Sequence, residues 1–373
     1  MSVTEVASTY VRPGADRPRA SDYSALLTRV RRAGLLDRRP IYYAIETAVN
    51  VALVVAGWTA FVLLGESWWQ LLTAAYLAVV FTRIGFLGHD AGHQQVFRSG
   101  RANRWLGLVL GNLLIGLAFG WWVDKHRRHH ANPNHEGLDP DISGEAIAFT
   151  DGQAGRRRGF GRLVARYQAY LFFPMLLLEA VALHVDGVRA ISQAGYRQRG
   201  REAVLLALHV AGYLTAVIWV LSPLQAVVFV VVQQGLFGLY LGCAFAPNHK
   251  GMPLLPADGE PDFLRRQVLT ARNVRGGRLV DFLLGGLNYQ VEHHLFPSMP
   301  RPSLRRAQPI VQAYCVERGV PYLETTLVDS YRQALRHLHA VGRGGAAAVA
   351  AGTGTGTDVH RVDADRAGRH RWR

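Results

Sequence analysis

The sequence predicts an all-α integral membrane protein with four spanning helices in two hairpins and further helices lying in the membrane interface. Three observations carry this. Six apolar stretches approach the length of a bilayer span, basic residues flank nearly all of them, and histidines group just beyond their ends. A hydrocarbon core of about 30 Å needs about 20 apolar helical residues. The six stretches are Ile41–Leu64, Trp68–Leu87, Trp105–Val123, Tyr167–Val185, Ala203–Leu221 and Leu224–Ala246.

Charge sorts these stretches. The turns "LLGESWWQ" (Leu63 to Gln70) and "LSPLQ" (Leu221 to Gln225) contain no Lys or Arg, whereas the other flanks are basic: Arg38 and Arg39, Arg98 and Arg101, Arg127 and Arg128, Arg156 to Arg158, Arg197 to Arg201, and Lys250. By the positive-inside rule the two uncharged turns face outward and the rest, with both termini, faces the cytoplasm. Trp105–Val123 and Tyr167–Val185 are basic on both sides and therefore read as re-entrant or interfacial. Ahead of the first span, Ser21–Arg39 places Tyr23, Leu26, Leu27 and Val30 at helical spacing, which predicts an amphipathic helix. Residues 1–20 and the Gly-, Ala- and Thr-rich 341–373 read as disordered tails around a membrane domain of 21–340. No solenoid repeat is present.

Composition agrees. Of 373 residues, 49% are hydrophobic, and the mean hydropathy of +0.06 suits a membrane protein with large aqueous pieces. The formal charge of +15 raises nucleic acid as a partner. No basic stripe interleaved with aromatics supports that, and the arginines crowd the apolar segments as expected beside anionic lipid. Cys243 and Cys315 are the only cysteines, too few for a disulfide framework or a cysteine-bound iron–sulfur cluster. The polar first forty residues show no signal peptide.

The histidines map onto this topology. "HDAGH" puts His89 and His93 four residues apart on one helix face. "HRRHH" puts His126, His129 and His130 on one face, and "QVEHH" repeats that spacing with Gln290 ahead of His293 and His294. His249, in "APNHKG", ends the last apolar stretch. All eight fall on the cytoplasmic side. Eight imidazoles are too many for one ion and suit two, and iron is the imidazole-loving metal that also changes oxidation state and handles dioxygen. Asp90, Asp139, Asp141 and Glu292 are candidates to support the ligands. Plainer roles are assigned to His135, His184, His209, His337, His339, His360 and His370 as caps or satisfied polar groups. Glu46 and Glu179 read as bundle-facing structural groups, Cys243 as a core residue, and Trp68–Trp69 and Trp121–Trp122 as interfacial belts.

"HDAGH", "HRRHH" and "QVEHH" resemble the three histidine boxes of the integral-membrane fatty acid desaturases, and "GGLNYQVEHHLFPSMPR" is similar to the third box of the front-end and linoleoyl-CoA-desaturase-like branch. The resemblance covers roughly residues 40 to 325. It implies four spanning helices, a cytoplasmic helical cap and a non-haem di-iron site with dioxygen as co-substrate. The implied ligands are His89, His93, His126, His129, His130, His293 and His294, with His249 as the extra ligand from the end of the fourth span. Gln290 stands where other members carry a ligating His. It is expected near the metal, as is Asp90. The sequence has neither an HPGG haem motif nor a rubredoxin-like run of cysteines, so a separate electron donor such as a ferredoxin or another reductase-fed carrier is implied. The implied reaction is dioxygen-dependent formation of a cis double bond in a long acyl chain, as acyl-CoA or acyl-lipid, in the plasma membrane if bacterial.

Three other readings stand beside this one. A histidine-box hydroxylase or ketolase would use the same iron pair. A b-type haem protein needs paired histidines inside spans, whereas these lie beyond helix ends. A divalent-metal transporter places ligands near the bilayer midplane, and the second and sixth stretches lack such ligands apart from Gln233 and Gln234.

Overall fold

The computed structural model describes residues 21–344, apart from 145 and 257–260. The expected tails therefore lie outside the described residues, except for 341–344, where the last helix reaches Gly342. His360 and His370 also lie outside them.

The chain begins with α1 (Asp22–Arg32), capped by the Ser21 hydroxyl accepting from the Ser24 amide. Asp22 in its first turn and Arg29, Arg31 and Arg32 in its last complement the helix dipole. Leu26 and Val30 face inward and join a core with Leu295, Phe296 and Tyr314. Two long helices follow, α2 (Pro40–Leu64) and α3 (Gln70–Gly92). Between them the Gln70 amide donates to the carbonyls of Phe61 (2.6 Å) and Gly65 (2.9 Å), closing a turn that would otherwise leave those oxygens unpaired.

The next apolar stretch is broken. α4 (Gly100–Leu108) passes through a π-helical turn at Val109–Leu114, and the chain then bends by 115° into α5 (Phe119–Ala131). Irregular backbone in a membrane protein must be satisfied internally. His209 does this at the Leu113 carbonyl (2.9 Å) and His184 at the Gly116 carbonyl (2.8 Å). Gly116 has φ +73°, and a Cβ there would lie 2.6 Å from the His209 ring. The start of α5 is pinned by the buried Glu202 carboxylate, which accepts from the Gly120 amide (3.0 Å), Asn112 (3.3 Å) and the Tyr196 hydroxyl (2.8 Å).

After α6 (Asp151–Arg156), a second bent pair follows, α7 (Gly159–Leu176) and α8 (Glu179–Ser192), at 84°. Both breaks fall in the stretches expected to be re-entrant or interfacial. The last long helices are α9 (Arg199–Val220) and α10 (Pro223–His249), joined by Leu221 and Ser222. α2, α3, α9 and α10 are the four helices long and apolar enough to cross a membrane, or up to six spans if each bent pair counts as one. α3 is the most enclosed, with 67% of its apolar window buried, and it packs chiefly on α10 and α2. Gly238 lets α10 approach the α7–α8 bend: a Cβ there would meet the Ala180 nitrogen and the Leu176 oxygen at 2.7 Å.

The remaining elements follow α10. They are α11 (Phe263–Leu269), β1 (Asn273–Arg275), α12 (Gly277–Leu283), α13 (Gln290–Leu295), α14 (Arg301–Glu317), β2 (Glu324–Thr326) and α15 (Leu327–Gly342). β1 and β2 pair in parallel, Val274 opposite Thr325, and are the only strands among the described residues. α1 clasps α13 and α14 through Tyr23 donating to the Leu295 carbonyl and Tyr314 donating to the Asp22 carbonyl.

Candidate metal centre

Four separate elements deliver the eight histidines. His89 lies in the last turn of α3 with His93 as its C-cap, and α5 carries His126, His129 and His130. His249 is the final residue of α10, and His293 and His294 lie on α13. The structure brings all eight together, in two groups.

In the first group, one ring nitrogen from each of His89, His93, His126 and His293 lies within 4.8 Å of all the others. The Nε2 atoms of His89 and His130 each approach His126 Nε2 at 3.1 Å. His129, His249 and His294 form the second group, with 3.0 Å between the Nε2 atoms of His249 and His294. His130 sits at the seam, its ring stacked on His294 at 4.1 Å between centroids. The single face expected for "HRRHH" is thus divided. At about 100° per residue, His126 and His130 lie about 40° apart on the helix whereas His129 lies about 60° to the other side. His129 consequently reaches the second group.

The buried nitrogens fit a bound metal better than they fit one another. An imidazole nitrogen lies about 2.0–2.1 Å from a bound divalent ion such as zinc, so neighbouring ligand nitrogens lie about 2.9–3.3 Å apart. The observed 3.0–3.1 Å separations match. His93 Nε2 and His293 Nε2 are buried and make no hydrogen bond, as is His130 Nδ1. Orphaned polar atoms of this kind carry a cost unless something binds them.

The far side of several rings is held by the protein, which fixes the tautomer and turns Nε2 inward. His129 Nδ1 faces Asp139 at 3.0 Å, His249 Nδ1 the Thr270 carbonyl at 3.0 Å, and His294 Nδ1 the Gln267 Oε1 at 2.9 Å. Gln267 is itself locked because its amide nitrogen donates to the His130 carbonyl. Burial pushes His293 and His294 well below the ordinary imidazole range, keeping them neutral as ligation requires. Although burial pushes the Asp139 carboxyl up, its hydrogen bond with His129 is among the contacts that bring it below its usual value.

The other polar neighbours have distinct tasks. Asp139, Asp141 and His129 also lie at ligand spacing, but Lys125 Nζ already meets Asp141 at 2.5 Å and Lys250 Nζ donates to the Asp141 carbonyl. Glu292 turns away from the imidazoles. It bonds Asn273 and Tyr322, both at 2.7 Å, and burial pushes its carboxyl up to about 7. Asp90 comes within 3.6 Å of His89 Nδ1, but its close partner is Arg301 at 2.6 Å. The Gln290 amide is oriented by Asn248, which donates to the Leu287 carbonyl and to Gln290 Oε1. Its NH2 group therefore faces His249 Nε2 at 2.9 Å. Trp122 stacks on His126 at 4.6 Å rather than serving only as a belt residue.

The fatty acid desaturase family model matches residues 66–326. The chain belongs to the fatty acid desaturase family. Among its relatives are the Delta(6)-fatty-acid desaturase fat-3 of Caenorhabditis elegans, 30% identical over 87% of this chain and 75% of that protein, and a Delta(8)-fatty-acid desaturase of Euglena gracilis, 28% identical over 86% and 79%. An acyl-lipid (9-3)-desaturase of Physcomitrium patens is 27% identical over 87% of this chain, which spans 63% of that protein. Relatives with these names are oxidoreductases. A membrane protein of this family with clustered imidazoles has the donor set of an iron-type centre.

Asn248, Gln267, Asn273 and Arg301 were not singled out from sequence. Arg301 closes the "FPSMPR" stretch, which was the one available signal. Asn248 lies in the last turn of α10, Gln267 on the short α11 and Asn273 on β1, and no periodicity marks any of them.

Proposed function

We propose that this desaturase-family member introduces a cis double bond into a long fatty acyl chain at two irons, one in each histidine group, using dioxygen. The observation that carries this reading is the pair of inward-facing Nε2 clusters built on family box positions. His89, His93, His126, His130 and His293 would hold one iron and His129, His249 and His294 the other. Bound iron supplies the redox power to activate dioxygen against unactivated C–H bonds, which side-chain acid–base chemistry cannot break.

The protein's own contribution is position and dryness. Asp139, Gln267 and the Thr270 carbonyl keep the ligand rings aimed, and apolar packing around them excludes water. In the balanced reaction, dioxygen takes two electrons and two protons from the CH2–CH2 unit and two of each from outside, leaving an alkene and two waters. A separate reductase-fed carrier such as a ferredoxin is the proposed source of the outside electrons. With the uncharged turns outward, the histidines and both termini face the cytoplasm. A cleft of about 700 Å³ beside α5 includes Lys125, Arg128, Arg189 and Arg197 against Asp124 and Asp186, and it suits the phosphate of an acyl-CoA or phospholipid headgroup.

Expression in a host that supplies a competent electron donor, followed by fatty-acid analysis with double-bond location, tests the proposal. A product lighter by two hydrogens supports it. A product heavier by one oxygen would show a hydroxylase instead, and an unchanged profile across several acyl lengths would count against either.

A further inference from the structure

We infer that Arg301 is a positioning residue that registers the third histidine box against the first, and so shapes the first metal group rather than the second. The inference rests on the metal-centre reading above. Arg301 opens α14, seven residues beyond His294, and its side chain is 11% exposed. Its guanidinium meets Asp90 at 2.6 Å and lies 3.8 Å from Glu46, which Arg83 neutralises at 2.9 Å. Two cations and two carboxylates thus close a balanced group in which no member can be removed without leaving a charge stranded.

Asp90 directly follows His89 in sequence, and its second oxygen lies 3.6 Å from His89 Nδ1. The ion pair therefore ties the segment bearing His89 and His93 to the one bearing His293 and His294, and of these two it is the His293 ring that lies 4.7 Å from each of theirs. A second strand of the same tie runs through Gln95. Its amide donates to the Pro297 carbonyl (2.8 Å), while its oxygen accepts from Tyr43 and from the Arg301 backbone amide. The fit leaves little slack: a Cβ on Gly286 would meet Arg301 Cγ at 2.7 Å. The second group is oriented by Asp139, Gln267 and the Thr270 carbonyl, none of which belongs to this network. Losing Arg301 should consequently loosen one metal position and spare the other.

Cobalt(II) titration of metal-free protein, followed by its d–d absorbance, together with metal analysis of the iron-loaded form, separates the outcomes. Wild type is expected to bind two equivalents. Arg301→Gln is expected to bind one as wild type does and the other about 10–100-fold more weakly, the range for lost outer contacts to metal ligands. Arg301→Lys, which keeps the charge but not the planar fork, should recover part of that loss. It also decides the matter if Arg301→Gln does not yield folded protein. Unchanged binding of both equivalents, or equal weakening of both, would overturn the inference. A wild type that binds no metal would overturn the metal-centre reading itself, and this inference with it.

Discussion

His249 and His294, 45 residues apart, point their Nε2 atoms at each other across 3.0 Å, and each has its Nδ1 engaged on the outer side. Each Nδ1 donates to an oxygen, so neither Nε2 of the neutral rings carries a hydrogen and their lone pairs converge. A cation is the natural occupant of that point.

Replacing His294 with alanine should therefore abolish binding at the second group while the first keeps its metal. Activity should fall by more than the 10–100-fold typical of losing an outer partner. Metal analysis gives the occupancy, and product yield gives the activity. Two full equivalents in His294→Ala would remove this residue from the ligand set.

Gln267→Leu takes away the acceptor that fixes the His294 tautomer and leaves the His130 carbonyl without its donor. A loss of about 10–100-fold in metal affinity or turnover is expected, with the ligands all still present. Asp139→Asn should act comparably through His129. Wild-type affinity in both variants would show that ring orientation does not depend on these contacts.

Arg272 is fully buried and engages the Pro247 carbonyl, the Lys250 carbonyl and Gln333, so it caps the end of α10 around His249. Burial lowers its guanidinium to about 9. Arg272→Met strands those acceptors, at about 1–3 kcal/mol for each buried group left unpaired. The lowered melting temperature should come with weaker metal binding at the second group. A melting curve matching that of wild type would contradict the capping role.

Gly238→Ala places a methyl group 2.7 Å from two backbone atoms, which have no rotamer to yield. Overpacking of this kind costs about 1–3 kcal/mol. Thermal unfolding in detergent measures it, and an unshifted curve would mean that α10 stands further from the α7–α8 bend.

Chelating the metal should lower the melting temperature, since a ligand at 100 times its Kd stabilises by about 2.7 kcal/mol. The metal-free protein should also weaken in acid. His293 and His294 have folded-state values below the ordinary 6.5 because of burial, so the unfolded chain binds more protons. Their contribution is complete above about pH 6.5 and is lost as pH falls below it. Melting temperatures of the metal-free protein rising from pH 7 to pH 5 would reverse the sign and refute the assignment.

What the sequence determined by itself is local. Hydropathy and arginine placement marked the four long helices and the two stretches that break, because span length and flanking charge are properties of contiguous residues. Spacing within "HDAGH", "HRRHH" and "QVEHH" identified the imidazoles, because a helix places i and i+4 together whatever surrounds it. Tertiary structure alone decided that Gln290 turns its amide nitrogen to His249 and that Asp90 meets Arg301 more closely than it meets His89. Each of those outcomes depends on where a second element comes to rest within a few tenths of an ångström. Such distances are set by packing between segments as far apart in the chain as Asp90 and Arg301, and no local pattern encodes them.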